Sequence, residues 1–254
     1  MSYNPAYCWI LGLTLGPFFT QTHRGPQLGR NALGDSGVKL VSAALRNPGC
    51  KIQMLWLQRV GLTDSGAEDL ASALSTNHTV TKLNLSENKL GDSGVKLVSV
   101  ALRNPDCKIQ TLLLNSVGLT DSGAADLTSA LSTNHSLTKL WLGDNKLGDS
   151  GVKLVFAALT NPDCKIHRLG LDGVGLTDSG AEELVSTFST NTSLTELYLA
   201  QNSLTDQSVP ALHRLILALP RLKWIRLGAN KFSPTGKKEL RSMQESRCRL
   251  RVAV

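Results

Sequence analysis

The sequence predicts an α/β solenoid, one stack of strand-helix coils with parallel strands on a concave side and helices on a convex side. Two observations predict it. A 57-residue block beginning at Asn31 recurs nearly unchanged at Asn88 and Asn145, and a fourth copy begins at Asn202 before its sequence drifts. Each block divides into a 29-residue half, Leu33 to Leu62, and a 28-residue half, Leu62 to Leu90. Both halves share one apolar spacing, Ile52, Leu55, Leu57, Val60 and Leu62 in the first and Val80, Leu83, Leu85, Asn88 and Leu90 in the second. A unit this short cannot bury its own apolar face, so neighbouring units stack into a continuous core. Such a stack offers a long concave surface without a closed pocket, which directs the search for function to binding before catalysis.

Within each half the elements follow in order. Leu55-Trp56-Leu57 and Leu83-Asn84-Leu85 have the period-two spacing of a short strand, leucines inward and the intervening residues outward. A helix follows, with Val38, Leu40, Val41, Ala44 and Leu45 as its apolar face and Asp35 or Ser36 as its expected cap. In the second half Ser65 and Glu68 have capping-box spacing ahead of Leu70, Ala73 and Leu74. Asn47-Pro48 ends the first helix. Asn31, Asn88, Asn145, Asn202 and Asn230 fall at the turn after a strand, where a buried amide satisfies backbone groups of the adjoining coil. Val60, Val117 and Val174 take that position in the alternate halves.

Composition allows a substantial core, with 41% of the 254 residues hydrophobic. The net charge of +7 is local: residues 1–220 hold 17 Lys and Arg against 18 Asp and Glu, and residues 221–254 hold 10 against 2. Those ten are Arg221, Lys223, Arg226, Lys231, Lys237, Lys238, Arg241, Arg247, Arg249 and Arg251. They read as the solvated skin of a C-terminal cap beginning at about residue 221 rather than as a specific nucleic-acid site.

Cys50, Cys107 and Cys164 share one repeat position in N-P-x-C-K-I, two coils apart. At the strand spacing they lie about 10 Å apart or more, beyond the roughly 7 Å limit between the Cα atoms of a disulfide. Free thiols, with Cys8 and Cys248 left over, point to a reducing, cytoplasmic setting. The sequons at Asn77, Asn84, Asn134 and Asn191 weigh less. The apolar run from Trp9 to Phe19 is too short to span a membrane and contains Pro17, so no membrane contact is expected. Residues 1–27 stay unassigned and residues 28–254 form the repeat domain. Because the leucine pattern breaks at Pro26 and His23 with no amphipathic cap ahead of it, a longer parent protein is expected to supply the first coil's neighbour.

The alternating 29- and 28-residue units, with helices L-G-D-S-G-V-K-L and G-L-T-D-S-G-A-E-D-L, resemble the ribonuclease-inhibitor class of leucine-rich repeat solenoids, a horseshoe. More narrowly, with Leu204-Thr205-Asp206-Gln207 and the final Leu250-Arg251-Val252, residues 28–254 resemble the C-terminal region of NACHT, LRR and PYD-containing NOD-like receptors. The resemblance implies a regulatory surface that senses a ligand or partner in innate immunity, attached to a nucleotide-hydrolysing switch and an effector domain for inflammasome assembly. It also implies an intramolecular contact with the NACHT domain of the parent. This chain has no G-x-x-x-x-G-K-[ST] phosphate loop, since Gly236-Lys237-Lys238 lacks the upstream glycine and the hydroxyl. No cofactor, metal or catalytic residue is expected: H-E-x-x-H, C-x-x-C and G-x-S-x-G are missing, and the Asp-Ser-Gly carboxylates are accounted for as helix caps.

The candidate site comes from an internal comparison. Residues 31–87 and 88–144 differ at 14 of 57 positions, and the eight positions expected on the concave strand face hold seven of those differences. Met54, Trp56, Gln58 and Arg59 become Thr111, Leu113, Asn115 and Ser116; Asn84, Ser86 and Glu87 become Trp141, Gly143 and Asp144. Exposed helix positions such as Asp35, Lys39, Arg46 and Asn47 stay constant. Three of four tryptophans fall on the variable face, where aromatics serve as binding anchors. The predicted protein-binding set is therefore Trp56, Trp141, Tyr198 and Trp224, surrounded by Arg59, Lys82, Glu87, Lys139, Asp144, Arg168, Asp172, Glu196 and Arg226. A free-standing inhibitor of a ribonuclease is the alternative. It calls for an acidic concave face toward a basic partner, whereas these repeats are near neutral, and that class is also richer in cysteine.

Overall fold

The computed structural model describes residues 27–187, 193–247 and 249–254. Eight three-residue strands make one parallel sheet whose order follows the chain, β1 (Met54–Trp56), β2 (Lys82–Asn84), β3 (Thr111–Leu113), β4 (Lys139–Trp141), β5 (Arg168–Gly170), β6 (Glu196–Tyr198), β7 (Trp224–Arg226) and β8 (Arg251–Ala253). Eight helices lie on the other side: α1 (Gly34–Leu45), α2 (Asp64–Thr76), α3 (Gly91–Leu102), α4 (Asp121–Leu131), α5 (Gly148–Leu159), α6 (Asp178–Thr187), α7 (Val209–Ala218) and α8 (Pro234–Ser246). Strands pack about 4.8 Å apart and helices about 8–10 Å apart, so the strand side is the inside of the bend. The fold is the leucine-rich repeat solenoid expected from the spacing. Ahead of β1, Gln27 bridges Trp56 in parallel fashion.

The core runs unbroken along the stack. The central residue of each strand is buried, leucine in β1 to β6, Ile225 in β7 and Val252 in β8, as is the leucine two residues later in β1 to β7, and the helices add Val38, Val41, Leu70, Val95 and their equivalents. The turn asparagines tie coil to coil. Asn88 donates to Leu57 O at 2.7 Å and Leu85 O at 2.8 Å, and its Oδ1 accepts from Val60 N and Leu62 N at 3.1 Å each. Asn145 and Asn202 repeat this arrangement.

Two expectations about helix starts are corrected. The Asp35 carboxylate does not cap α1, whose N-cap residue Leu33 has helical backbone angles; it reaches the next coil, accepting from Thr63 N at 2.8 Å and Thr63 Oγ1 at 2.7 Å. The same tether joins Asp92 to Thr120, Asp149 to Thr177, Asp178 to Thr205 and Asp206 to Ser233. Nor does a Ser65–Glu68 capping box form. Thr63 is the N-cap residue of α2, and Ser65 N donates to Asp64 Oδ1 inside the helix. An aspartate there binds a neighbour because the stack brings the next coil's turn closer than its own first-turn amides.

The sequon residues Asn77 and Asn134 are also structural: each is buried, donating to Leu45 O or Leu102 O and accepting from Val80 N or Leu137 N. Asn191 lies outside the described residues. Cys50, Cys107 and Cys164 are free thiols, the last two buried; Cys8 and Cys248 lie outside the described residues, as do residues 1–26. No helix among the described residues is long and apolar enough to cross a membrane.

Candidate functional site

Parallel pairing in exact register sorts the strand-face side chains into two rows. The strand-start row reads Met54, Lys82, Thr111, Lys139, Arg168, Glu196, Trp224 and Arg251; the strand-end row reads Trp56, Asn84, Leu113, Trp141, Gly170, Tyr198, Arg226 and Ala253. A third row lies along the rim, where the chain leaves each strand through a left-handed residue: Arg59, Glu87, Ser116, Asp144, Gly173 and Gln201 have φ between 52° and 65°. Nine of the thirteen expected site residues thus stand on the strands. Arg59, Glu87 and Asp144 are rim residues, and Asp172 sits just ahead of Gly173.

The aromatic side chains are only half-buried. Trp56 and Trp141 share the strand-end row, separated by Asn84 and Leu113, which puts them about 14 Å apart. Trp141 does not stand alone. Its indole folds across Gly170 onto Tyr198, with ring centroids 4.7 Å apart and planes tilted by 53°, within the range of favourable aromatic pairs. A Cβ at Gly170 would lie 2.2 Å from Trp141 Cε3, so only glycine leaves room for this contact. Sequence reasoning missed Gly170, although a glycine where Trp56, Asn84, Leu113 and Trp141 stand in other strands was the available signal. Trp224 belongs to the other row, between Glu196 and Arg251.

Four charges on the C-terminal half of the face are paired with each other. Arg168 meets Glu196 at 2.8 Å, and Tyr198 Oη donates to the other Glu196 oxygen at 2.8 Å. Burial first, then the Glu196 hydrogen bond and charge, push the Tyr198 phenol above its ordinary range. Arg226 faces Asp172 at 3.4 Å, and Asp172 Oδ1 accepts from Ala200 N at 2.7 Å. Burial raises the Asp172 carboxyl pKa, with nearby Asp144 acting the same way against the lowering effects of that amide and of Arg226. Lys82 and Lys139, by contrast, make no ion pair among the described residues.

The constancy of the helix side has structural causes. Lys39 and Arg46 both meet Asp69 on the next helix, at 3.9 and 3.6 Å, and Lys96 and Arg103 meet Asp126 in the same way. Asp35 is the coil tether described above, and Asn47 Oδ1 accepts from Gly49 N in the turn that ends α1. Between the first two blocks those positions are thus held by bonds that their exposure alone does not reveal, although Thr160 replaces the arginine in the third block. The strand face does vary further on: between residues 88–144 and 145–201 all eight of its positions differ, and the other 49 positions hold ten differences. Among the described residues no group of three or more His, Cys, Asp or Glu side chains could hold a metal ion.

Fold and face together define a leucine-rich repeat protein whose inner surface carries its individuality. A leucine-rich repeat family model matches residues 76–99, 133–156 and 190–212. The chain is 44% identical over 185 residues to NACHT, LRR and PYD domains-containing protein 3 of Rattus norvegicus, covering 73% of this chain and 18% of that one. It is 42% identical over 179 residues to NACHT, LRR and PYD domains-containing protein 12 of Homo sapiens, covering 70% and 17%. Among solved structures, the leiomodin-1 actin-binding site 2 aligns with a TM-score of 0.49 and 16% identity over 70% of this chain and 94% of that one. The chain belongs with the leucine-rich repeat region of the NACHT, LRR and PYD domains-containing proteins. It spans about a fifth of the length of the relatives it matches.

Proposed function

We propose that this chain is a protein-binding module of a cytoplasmic NOD-like innate immune receptor. It acts by sensing a partner on the concave face or by holding a linked NACHT domain inactive, upstream of inflammasome assembly, and it performs no catalysis itself. The observation that supports the reading is the turnover of strand-face positions from repeat to repeat, together with half-exposed Trp56, Trp141 and Tyr198 on that face. Large, rigid aromatic side chains bring contact area at low entropic cost, which is why they dominate interface energies.

Replacing Trp56 and Trp141 by alanine tests it. Neither residue belongs to the buried core, so melting is expected to change little while capture of partners from cell extract weakens by about 2 kcal/mol or more in total. A double variant that recovers the same partners as the parent chain at the same yield removes the concave face from the function.

A further inference from the structure

Among the described residues, six helix-side cations pair with carboxylates of the adjoining helix, whereas Lys82 and Lys139 in the middle of the strand face make no ion pair. Lys39, Arg46, Lys96, Arg103, Lys153 and Arg214 each meet a carboxylate of the adjoining helix. On the strand face the one anion of the strand-start row, Glu196, is taken by Arg168. That leaves Lys82, exposed, and Lys139, half-buried, on either side of Thr111, with Arg251 apart from them at the far edge of the sheet.

These lysines are also the exception to the variability of the face between the first two blocks. Of the eight strand-face positions, seven change between residues 31–87 and 88–144, and the one retained is Lys82, which recurs as Lys139. No bond within the fold accounts for keeping it. The helix-side constants Asp35, Lys39, Arg46 and Asn47 each have such a bond. A lysine kept from the first block to the second while the other seven face positions change, before Glu196 replaces it in the third, and left without a counter-ion among the described residues, is what a surface selected for an acidic partner on this half would show.

Resting on the concave-face reading above, we propose that the partner enters this half of the face as an acidic segment. It lies across strands β2 to β4, its carboxylates are received by Lys82 and Lys139, and its apolar side chains rest on Leu113 between Trp56 and Trp141. The two lysines are two strands apart, about 10 Å, between the roughly 6.6 Å and 13 Å that separate same-face carboxylates two and four residues apart in an extended chain, a difference that the flexible lysine stems take up. Trp56, Leu113 and Trp141 lie in the neighbouring row, on the same outward side of the sheet. Complementary charge of this kind selects among partners and speeds their encounter. The more numerous cations of the C-terminal cap are the competing source of affinity for acidic chains, so the test separates the two.

Two fluorescein-labelled twelve-residue peptides serve as probes on the full chain, one repeating Glu-Glu-Tyr-Tyr, which puts Glu and Tyr on the same face of an extended chain, the other repeating Lys-Lys-Tyr-Tyr. Anisotropy is expected to show saturable binding of the Glu-Tyr peptide and none of the Lys-Tyr peptide. Lys82→Glu with Lys139→Glu should weaken the first by about tenfold or more, Lys82→Gln with Lys139→Gln should fall between, and Lys237→Glu with Lys238→Glu should leave it within about twofold. Circular dichroism confirms that each variant folds, and the glutamine pair supplies the reading if the glutamate pair does not. Absence of saturable binding, equal binding of both peptides, or equal losses from the two charge-reversed pairs overturns the proposal. Should any of these occur while Trp56→Ala with Trp141→Ala still loses partners from extract, the concave face stands and only its preference for acidic chains falls.

Discussion

Trp141 and Tyr198 sit two strands apart yet share a ring contact with centroids 4.7 Å apart, because Gly170 between them contributes no side chain. Gly170→Ala should push the indole off this path and break the pair, at a cost of about 1 kcal/mol, the typical worth of an aromatic pair. Near-ultraviolet circular dichroism is the direct readout. The aromatic bands should weaken while the far-ultraviolet spectrum stays unchanged; an unaltered near-ultraviolet spectrum would show that the contact does not depend on Gly170.

Asn145 makes the sharpest stability test of the coil ladder. Its side chain satisfies Val117 N and Leu119 N and donates to Leu114 O and Leu142 O. Asn145→Ala leaves several of these buried groups without partners, at about 1–3 kcal/mol each where no water reaches them. A loss of about 2 kcal/mol or more is expected in urea denaturation. Lys96→Ala removes only a 3.8 Å surface ion pair to Asp126 and should cost under about 1 kcal/mol. Equal losses from the two would contradict the assignment of the asparagine ladder as the joint between coils.

Strand positions, helix positions and the asparagine ladder were legible in the sequence because each is a periodic demand: a leucine must recur wherever a coil meets the core, and an amide wherever a turn would orphan backbone groups. What periodicity could not reveal is which neighbour a polar side chain chooses. Asp35 looks like a cap in one dimension and is a tether in three, since its partner Thr63 is a full coil away. The thirteen site residues were placed on the right side of the stack, but their division into paired and unpaired charges was hidden. Arg168 and Lys139 are register neighbours of equal sign, and only the carboxylate of Glu196 on the next strand distinguishes them. The role of Gly170 was invisible for a similar reason, being defined by a ring that arrives from another strand.

Buried thiols should react slowly. Burial raises the pKa of Cys107 and Cys164 above the ordinary thiol range, so both are protonated at neutral pH and also shielded from reagent. In a variant with Cys8→Ser and Cys248→Ser, iodoacetamide at pH 7.5 should label half-buried Cys50 first, with Cys107 and Cys164 following at the rate of unfolding. Peptide mapping by mass spectrometry reads the order. Simultaneous labelling of all three in folded protein would place the two thiols outside the core.

Asp172 offers a pH-dependent test for which the protein supplies its own control. Asn115, one full block earlier, accepts from Gly143 N at 2.8 Å just as Asp172 accepts from Ala200 N at 2.7 Å, so an amide does the same structural job there. The Asp172 pKa is raised in the fold, chiefly by burial, which means that folding favours its protonated form over its charged one. The sign follows: below the unfolded value, near 3.8, the group is neutral in both states and carries no penalty. As pH rises from there through the raised folded value, the unfolded state ionises first and stability is lost. Asp172→Asn should therefore stabilise the protein at pH 7, even after losing the Arg226 contact, whose lowering effect is outweighed by burial. The gain should shrink as pH falls through that window and vanish below it. Thermal melts of the two proteins from pH 3 to pH 7 provide the check, and a variant less stable than the parent at pH 7 would mean that the Arg226 pair outweighs the cost of burying the charge.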